Sequence, residues 1–266
     1  MGKFRFSRKI LGVPYAIYLV AFVVIPVIVL FVYAFSDGNG SFTLSNLTNF
    51  FTNQNTTGTL CYSFAVSFVT TIVCLLIAYP IAYILAHSNF KNKSVWLLIF
   101  IMPMWINFSL RITALKEILN LFEGNLAYYQ FFNTIVGMTY DFLPFMILPI
   151  YSTLSGIDKA YVEAAKDLGA SSVTAFLRVT LPLSAPGIIS GVFMVFLPSM
   201  TNYVILDMLY NSTYIMGSLI GSYFAAYDWH GGSMIALILL AIISVFTLLT
   251  RSIEQQDTAQ TGGAVL

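Results

Sequence analysis

Charge is what this sequence has least of. Only 9% of its 266 residues are Asp, Glu, Lys or Arg, where ordinary soluble domains carry about 25%. Apolar residues make up 58% and the mean hydropathy is +0.84, so a water-soluble globule is excluded and an integral membrane protein is expected. The net charge is +1, and no basic cluster occurs beyond the N-terminus, which leaves no nucleic-acid footprint. Cysteine is scarce too. Cys61 and Cys74 share one apolar stretch without metal-ligand spacing, so they read as small hydrophobes and not as a disulfide framework. The two histidines, His87 and His230, fall in separate loops on opposite expected sides, which leaves no two-histidine site for a membrane enzyme. No G-x-x-x-x-G-K-[ST] sequence occurs, so the chain has no phosphate-cradling loop of its own.

Long uncharged runs stand in place of charge. Six are expected to span, each near the roughly 17–25 residues that cross a bilayer. They cover residues 13–35, 61–86, 95–110, 130–153, 186–206 and 233–250. The first follows Lys3, Arg5, Arg8 and Lys9, as in a secretory signal. A signal's apolar region spans only about 7–15 residues, so a retained helix is expected, bent near Pro26. Pro80 bends the second run, Pro103 breaks the third, and the fourth holds Asp141, Pro144 and Pro149. The fifth opens with Gly187-Ile188-Ile189-Ser190-Gly191, a small-residue face suited to close helix contact in lipid.

Between the runs, residues 36–60 read as a polar outside loop without Lys or Arg. Its triplets Asn46-Leu47-Thr48 and Asn55-Thr56-Thr57 match a glycosylation pattern but arise often in such Asn/Thr-rich stretches, and carry no weight. Residues 111–129 form an outside segment, part of it amphipathic helix, and 207–232 read as a loop with a re-entrant or surface helix. Placing residues 1–12 and the tail 251–266 inside puts ten of the twelve Lys and Arg on one side, leaving Arg111 and Lys116 outside. The positive-inside rule then makes both termini cytoplasmic.

One stretch departs from the pattern. Residues 157–182 gather Lys159, Glu163, Lys166, Asp167 and Arg178. Ser155 or Asp158 can start a helix there. Tyr161, Ala164, Ala165 and Leu168 give it a narrow apolar stripe, and Gly169 stops it. Ser171 or Ser172 starts a second short helix with Ala175, Phe176 and Val179, which Pro182 is expected to end. Two short helices joined at a glycine make a compact cytoplasmic knob; an amphipathic linker lying on lipid is the plainer reading.

The residue order weighs toward the knob. Glu163-Ala164-Ala165, then Gly169, then Leu181-Pro182, resembles the EAA loop of ABC importer permeases, with Val179 where that family usually has isoleucine. Tyr79-Pro80-Ile81-Ala82-Tyr83, Pro103-Met104-Trp105-Ile106-Asn107 with Leu110-Arg111-Ile112, and Leu143-Pro144-Phe145-Met146 narrow the resemblance to the spermidine/putrescine importer permeases, B-type subunit. The resemblance implies an all-α type I importer fold, with a six-helix permease domain at 13–250 and the coupling loop at 155–185. It implies that Glu163, Ala164, Ala165, Gly169, Leu181 and Pro182 couple to a separate ATPase dimer. It also implies a second homologous permease and an extracytoplasmic polyamine-binding protein. ATP and Mg would sit on the ATPase, with no cofactor in this chain. Relatives carrying other small solutes share the scaffold. A stand-alone secondary transporter is the alternative from another class, but it is expected to show an inverted repeat, and no convincing one is present.

A polycationic solute needs acceptors and aromatic faces. Asp141 lies near the middle of the fourth run, where a lone carboxylate costs about 2.5–3.5 kcal/mol on insertion scales and so faces a cavity or a neighbouring helix. Asp207, beside Asn202 and Tyr203, closes the fifth run, either in the solute path or as a plain helix-end carboxylate. Trp105 could stack a cation, worth about 0.5–2 kcal/mol, or join Tyr203 in the interfacial aromatic belt. Arg111 would repel a polycation and is expected to pair with an outside carboxylate or meet the binding protein.

Overall fold

A computed structural model describes residues 12–88, 92–210 and 214–262. The expected basic segment with Lys3, Arg5, Arg8 and Lys9, and also Lys91, lie outside the described residues. Those described are helical apart from turns and one isolated bridge between Ser36 and Phe42. They divide into two compact units, residues 12–58 with 219–242, and residues 59–218 with 243–262.

In the first unit, α1 (Gly12–Ala34) has a mean hydropathy of 2.8 in its most apolar window and buries none of it. A helix apolar all round and exposed all round is built to face lipid or another chain. Residues Val20–Val24, in the turn before Pro26, form a π-helix, in which the Ile25 amide donates to the Val20 carbonyl. Beyond it, Asp37 Oδ1 accepts from the Asn39 and Ser41 amides, each at 2.9 Å, and Gly40 takes φ +78° to close the turn.

The stretch expected as an outside loop, 36–60, is partly helical. Helix α2 (Ser45–Thr52) is tied back when Asn46 Nδ2 donates to the Ala34 and Ser36 carbonyls at 2.9 and 3.1 Å. Asn53 then caps α3 (Gln54–His87), its side chain accepting from the Asn55 amide at 2.9 Å. Asn55-Thr56-Thr57 therefore form the first helical turn. The polar residues that look like loop are capping chemistry.

In the second unit, α3 continues through Pro80 to His87. Ser63, Ser67 and Thr71, one turn apart and buried, each donate to the carbonyl four residues back at 2.7–2.8 Å. Hydroxyls can thus be buried in a spanning helix without a partner chain. The third expected span is broken. Helix α4 (Lys93–Ile101) passes through a 3₁₀ turn, Met102–Trp105, and α5 (Phe108–Glu123) leaves at 95°. Pro103 forces the tight turn, and Asn107 starts a new helix by accepting from the Ser109 and Leu110 amides at 2.9 and 3.4 Å. The expected outside segment is accordingly mostly α5.

Helix α6 (Gln130–Gly156) matches the fourth expected span and runs through Pro144 and Pro149 unbroken. After α7 (Lys159–Asp167) comes α8 (Ser172–Leu183), which bends by 60° into α9 (Ala185–Ser199). Pro182 therefore does not end the second knob helix; it falls inside the first turn of a renewed helical segment, where its missing N–H is harmless. The chain turns at Ser184 instead. The fifth span ends at Ser199, followed by the short α10 (Val204–Leu209). Residues 207–232, expected as a loop with one helix, hold the end of α10, the helix α11 (Met216–Ala225) and the start of α12 (Trp229–Gly262). That last helix continues well past 250.

The core of the second unit lies where α3, α6, α9 and α10 meet, around Met138, Met146, Ile147, Ile150, Val195 and Ile205. Small residues set its closest approaches. A Cβ on Gly137 would stand 2.9 Å from Ile205 Cγ2, and one on Gly191 2.6 Å from Met146 Sδ.

Candidate functional site

The polar insert forms the expected pair of helices, and its ends are chemically explicit. Asp158 Oδ1 accepts from the Ala160 amide at 3.0 Å and starts α7. At the other end Gly169 takes φ +86°. Its amide donates to the Lys166 carbonyl at 2.8 Å, and the Ala170 amide donates to the Ala165 carbonyl at 3.0 Å. This is the paired-bond stop that needs a left-handed residue after the helix. Ser171 Oγ then accepts from the Thr174 amide at 3.2 Å and starts α8. Asp158 at the N-terminus and Lys166 in the last turn of α7 both complement its dipole.

Nothing in α7 is buried. Tyr161 is 60% exposed and Leu168 90%, so the apolar stripe faces away from the chain that carries it. Two depressions flank it. Glu163 lines a cleft of about 220 Å³ with His87, Asp158, Lys159 and Lys166. Ala165, Gly169, Ala170, Thr174, Arg178 and Val179 are among the walls of an open groove of about 360 Å³ between α7 and α8. Leu181 is half-buried and Pro182 exposed at the base.

What joins the knob to the spanning helices was not singled out in the sequence. The Phe176 ring meets Tyr83 edge-on at 5.4 Å and Tyr79 at 5.9 Å. Tyr79 Oη and Ser184 Oγ share a hydrogen bond at 3.0 Å. Two tyrosines four apart on α3, facing one phenylalanine in a polar insert, were the available signal.

The residues expected to face solute separate into three places. Asn202, Tyr203 and Asp207 sit together at and before the start of α10, with Asn202 half-buried and Tyr203 and Asp207 exposed. Trp105, 77% exposed, lies at the break between α4 and α5. No hydrogen bond or ring contact joins it to Tyr203 or Asp207 among the described residues. Asp141 is buried and engaged: its Oδ1 accepts from Arg111 Nη2 at 2.7 Å. Arg111 was expected to find an outside carboxylate or the binding protein. The break at 102–107 instead turns α5 so that Arg111 points inward onto α6.

Another overlooked residue holds α10 in place. Tyr210 Oη donates to the Gln130 carbonyl at 3.0 Å and is hydrogen-bonded to Thr134. Burial pushes its phenol upward from the ordinary tyrosine range, so it keeps the proton it donates.

Residues 78–256 match the family described as binding-protein-dependent transport system inner membrane component. The chain is 33% identical to the spermidine/putrescine transport system permease protein PotB of Haemophilus influenzae, over 86% of this chain and 87% of that relative. It is 32% identical to the PotB of Escherichia coli, over 62% of this chain and 66% of that one. Among solved structures, a bacterial ABC transporter involved in the import of the acidic polysaccharide alginate superposes with a TM-score of 0.74 at 14% identity, covering 93% of this chain and 94% of that one. At that identity the likeness speaks for the fold alone.

Proposed function

This chain belongs to the binding-protein-dependent transport system inner membrane components and is the multi-pass permease subunit of an ABC importer; from that membership we propose that its solute is a polyamine. The observation that carries the importer reading is the capped helix α7, which buries none of its residues against the rest of the described chain and leaves Tyr161 and Leu168 exposed. A separate ATPase docks on it and holds the ATP and Mg. The positive-inside distribution supports a cytoplasmic contact, with both termini on the same side.

Nucleotide binding closes the ATPase dimer and draws α7 of this chain toward its counterpart on a second homologous permease. Phe176 passes that movement to α3 through Tyr79 and Tyr83. The spanning helices then rock as rigid bodies between inward- and outward-facing states. Solute arrives from an extracytoplasmic binding protein on the side of Asn202, Tyr203, Asp207 and Trp105. The carboxylate of Asp207 and the exposed Tyr203 and Trp105 rings suit an organic cation. The names of the relatives support polyamine as the solute.

Reconstitution with the ATPase, the second permease and the binding protein tests this. Labelled spermidine should accumulate only with ATP and only with the binding protein present. Uptake without ATP would point to a secondary transporter. Uptake of an unrelated small solute that spermidine does not inhibit would overturn the polyamine assignment.

A further inference from the structure

The Arg111–Asp141 pair is buried and only half made. Arg111 is 8% exposed and Asp141 6%. Nη2 donates to Oδ1 at 2.7 Å, while the Nε and Nη1 groups of Arg111 have no hydrogen-bond partner among the described residues. A guanidinium retained for structure normally uses its planar fork on a carboxylate bidentately. Its carbon instead lies over two rings, 5.9 Å from the Phe108 centroid and 6.0 Å from that of Tyr140.

A cation held by one carboxylate and covered by aromatic rings is in the surrounding that recognises an organic cation. The space beside it has the complementary character. Tyr140 and Thr139 also line an apolar groove of about 560 Å³ with Val69, Val73, Leu115 and Ile135. The Thr139 hydroxyl is buried without a hydrogen-bond partner among the described residues. Charge recognition and a greasy trough therefore adjoin, which suits a molecule made of ammonium groups on a methylene chain.

We propose that Asp141, Phe108 and Tyr140 form a binding site for an aliphatic ammonium ion, and that the Arg111 guanidinium fills it as a tethered stand-in until solute displaces it. The inference rests on the polyamine reading above and gives it a second station, apart from Asp207. With Arg111 in place, the buried carboxylate is neutralised when no solute is present. When a solute ammonium arrives, Arg111 is released together with α5, which follows the break at Met102–Trp105. Arg111 is thus a positioning residue whose departure reports occupancy.

The test uses the assembled transporter. Arg111→Ala should melt at lower temperature than wild type and regain that loss on addition of methylguanidine or spermidine, with a larger response than wild type gives. In Arg111→Gln, the spermidine concentration for half-maximal uptake should fall by roughly threefold or more, because a site no longer shared with a competitor binds with its full affinity. The double variant Arg111→Gln/Asp141→Asn should lose the thermal response to both cations. The proposal is overturned if neither cation stabilises Arg111→Ala beyond wild type. Wild-type transport by the charge-exchanged Arg111→Asp/Asp141→Arg would equally reduce the pair to a structural tie. Should Arg111→Ala fail to assemble, Arg111→Lys decides: half-saturation shifts if the side chain competes with solute and stays put if it does not. Methylguanidine is no polyamine, so its rescue without spermidine uptake upholds the site and refutes the polyamine reading. Uptake without rescue does the reverse.

Discussion

Gly187 lies directly against the backbone of Pro149. A Cβ added to it would stand 2.8 Å from the Pro149 carbonyl oxygen and 2.6 Å from Thr153 Oγ1. With Gly191 one turn on, it lets α9 close onto α6, the pairing on which the core of the second unit depends. Backbone cannot yield as a flexible side chain does. Gly187→Ala should therefore destabilise by about 1–3 kcal/mol, as overpacking commonly does, and Gly187→Val should prevent accumulation of folded protein. Gly221, with open space around it, serves as the control and should tolerate alanine. Thermal unfolding of the purified variants in detergent checks both.

At the knob the constraint is conformational. No atom crowds Gly169, but its φ is +86°. Gly169→Ala should cost about 1–2 kcal/mol of local stability and fray the end of α7 while leaving the spans intact. Gly169→Asp, or Glu163→Arg in the cleft beside His87, should uncouple ATP hydrolysis from uptake. Co-purification of the ATPase together with transport rates tests this; wild-type values for both would contradict it.

Phe176 is expected to behave differently from Glu163. Phe176→Ala should leave the ATPase bound and hydrolysing while uptake falls, because the ring links the knob to Tyr79 and Tyr83 and does not form the knob's outer face. The effects of Phe176→Ala and Tyr83→Ala on uptake should be non-additive, as for residues in contact. Loss of ATPase binding in parallel with uptake would place Phe176 in the docking surface instead.

On the solute side, Asp207→Asn should lower spermidine uptake with assembly unchanged. Tyr210→Phe should act more mildly, by loosening the seat of α10. It removes the hydrogen bonds to Gln130 and Thr134, worth about 0.5–1.5 kcal/mol each in net terms. Initial uptake rates over a range of spermidine concentrations, with protein levels matched, measure both.

The sequence displayed the knob almost completely, because its signals are local: an Asp cap, a glycine at the left-handed position, and a serine restart. Spans α1 and α3 were legible from uncharged length alone, and α6 from apolar length around its one carboxylate, Asp141. The failures were of another kind. Asn53 and Thr56 look like loop residues, and only three dimensions reveal them as cap and first turn. Pro103 and Asn107 marked a break, but not its 95° angle. Because that angle was unseen, Arg111 was assigned to the outside and its meeting with Asp141, thirty residues away, could not be foreseen. Pairings such as Phe176 with Tyr83 depend on how helices cross, and no spacing within one helix records that.

The claim that energy enters through α7 is tested most directly by a cysteine at Leu168, 90% exposed at its tip. Cys61, the exposed native cysteine, is first replaced by serine. A membrane-impermeant maleimide should label Leu168→Cys in inside-out vesicles and not in right-side-out ones, and bound ATPase should block the labelling. Labelling from the outer face would contradict the account.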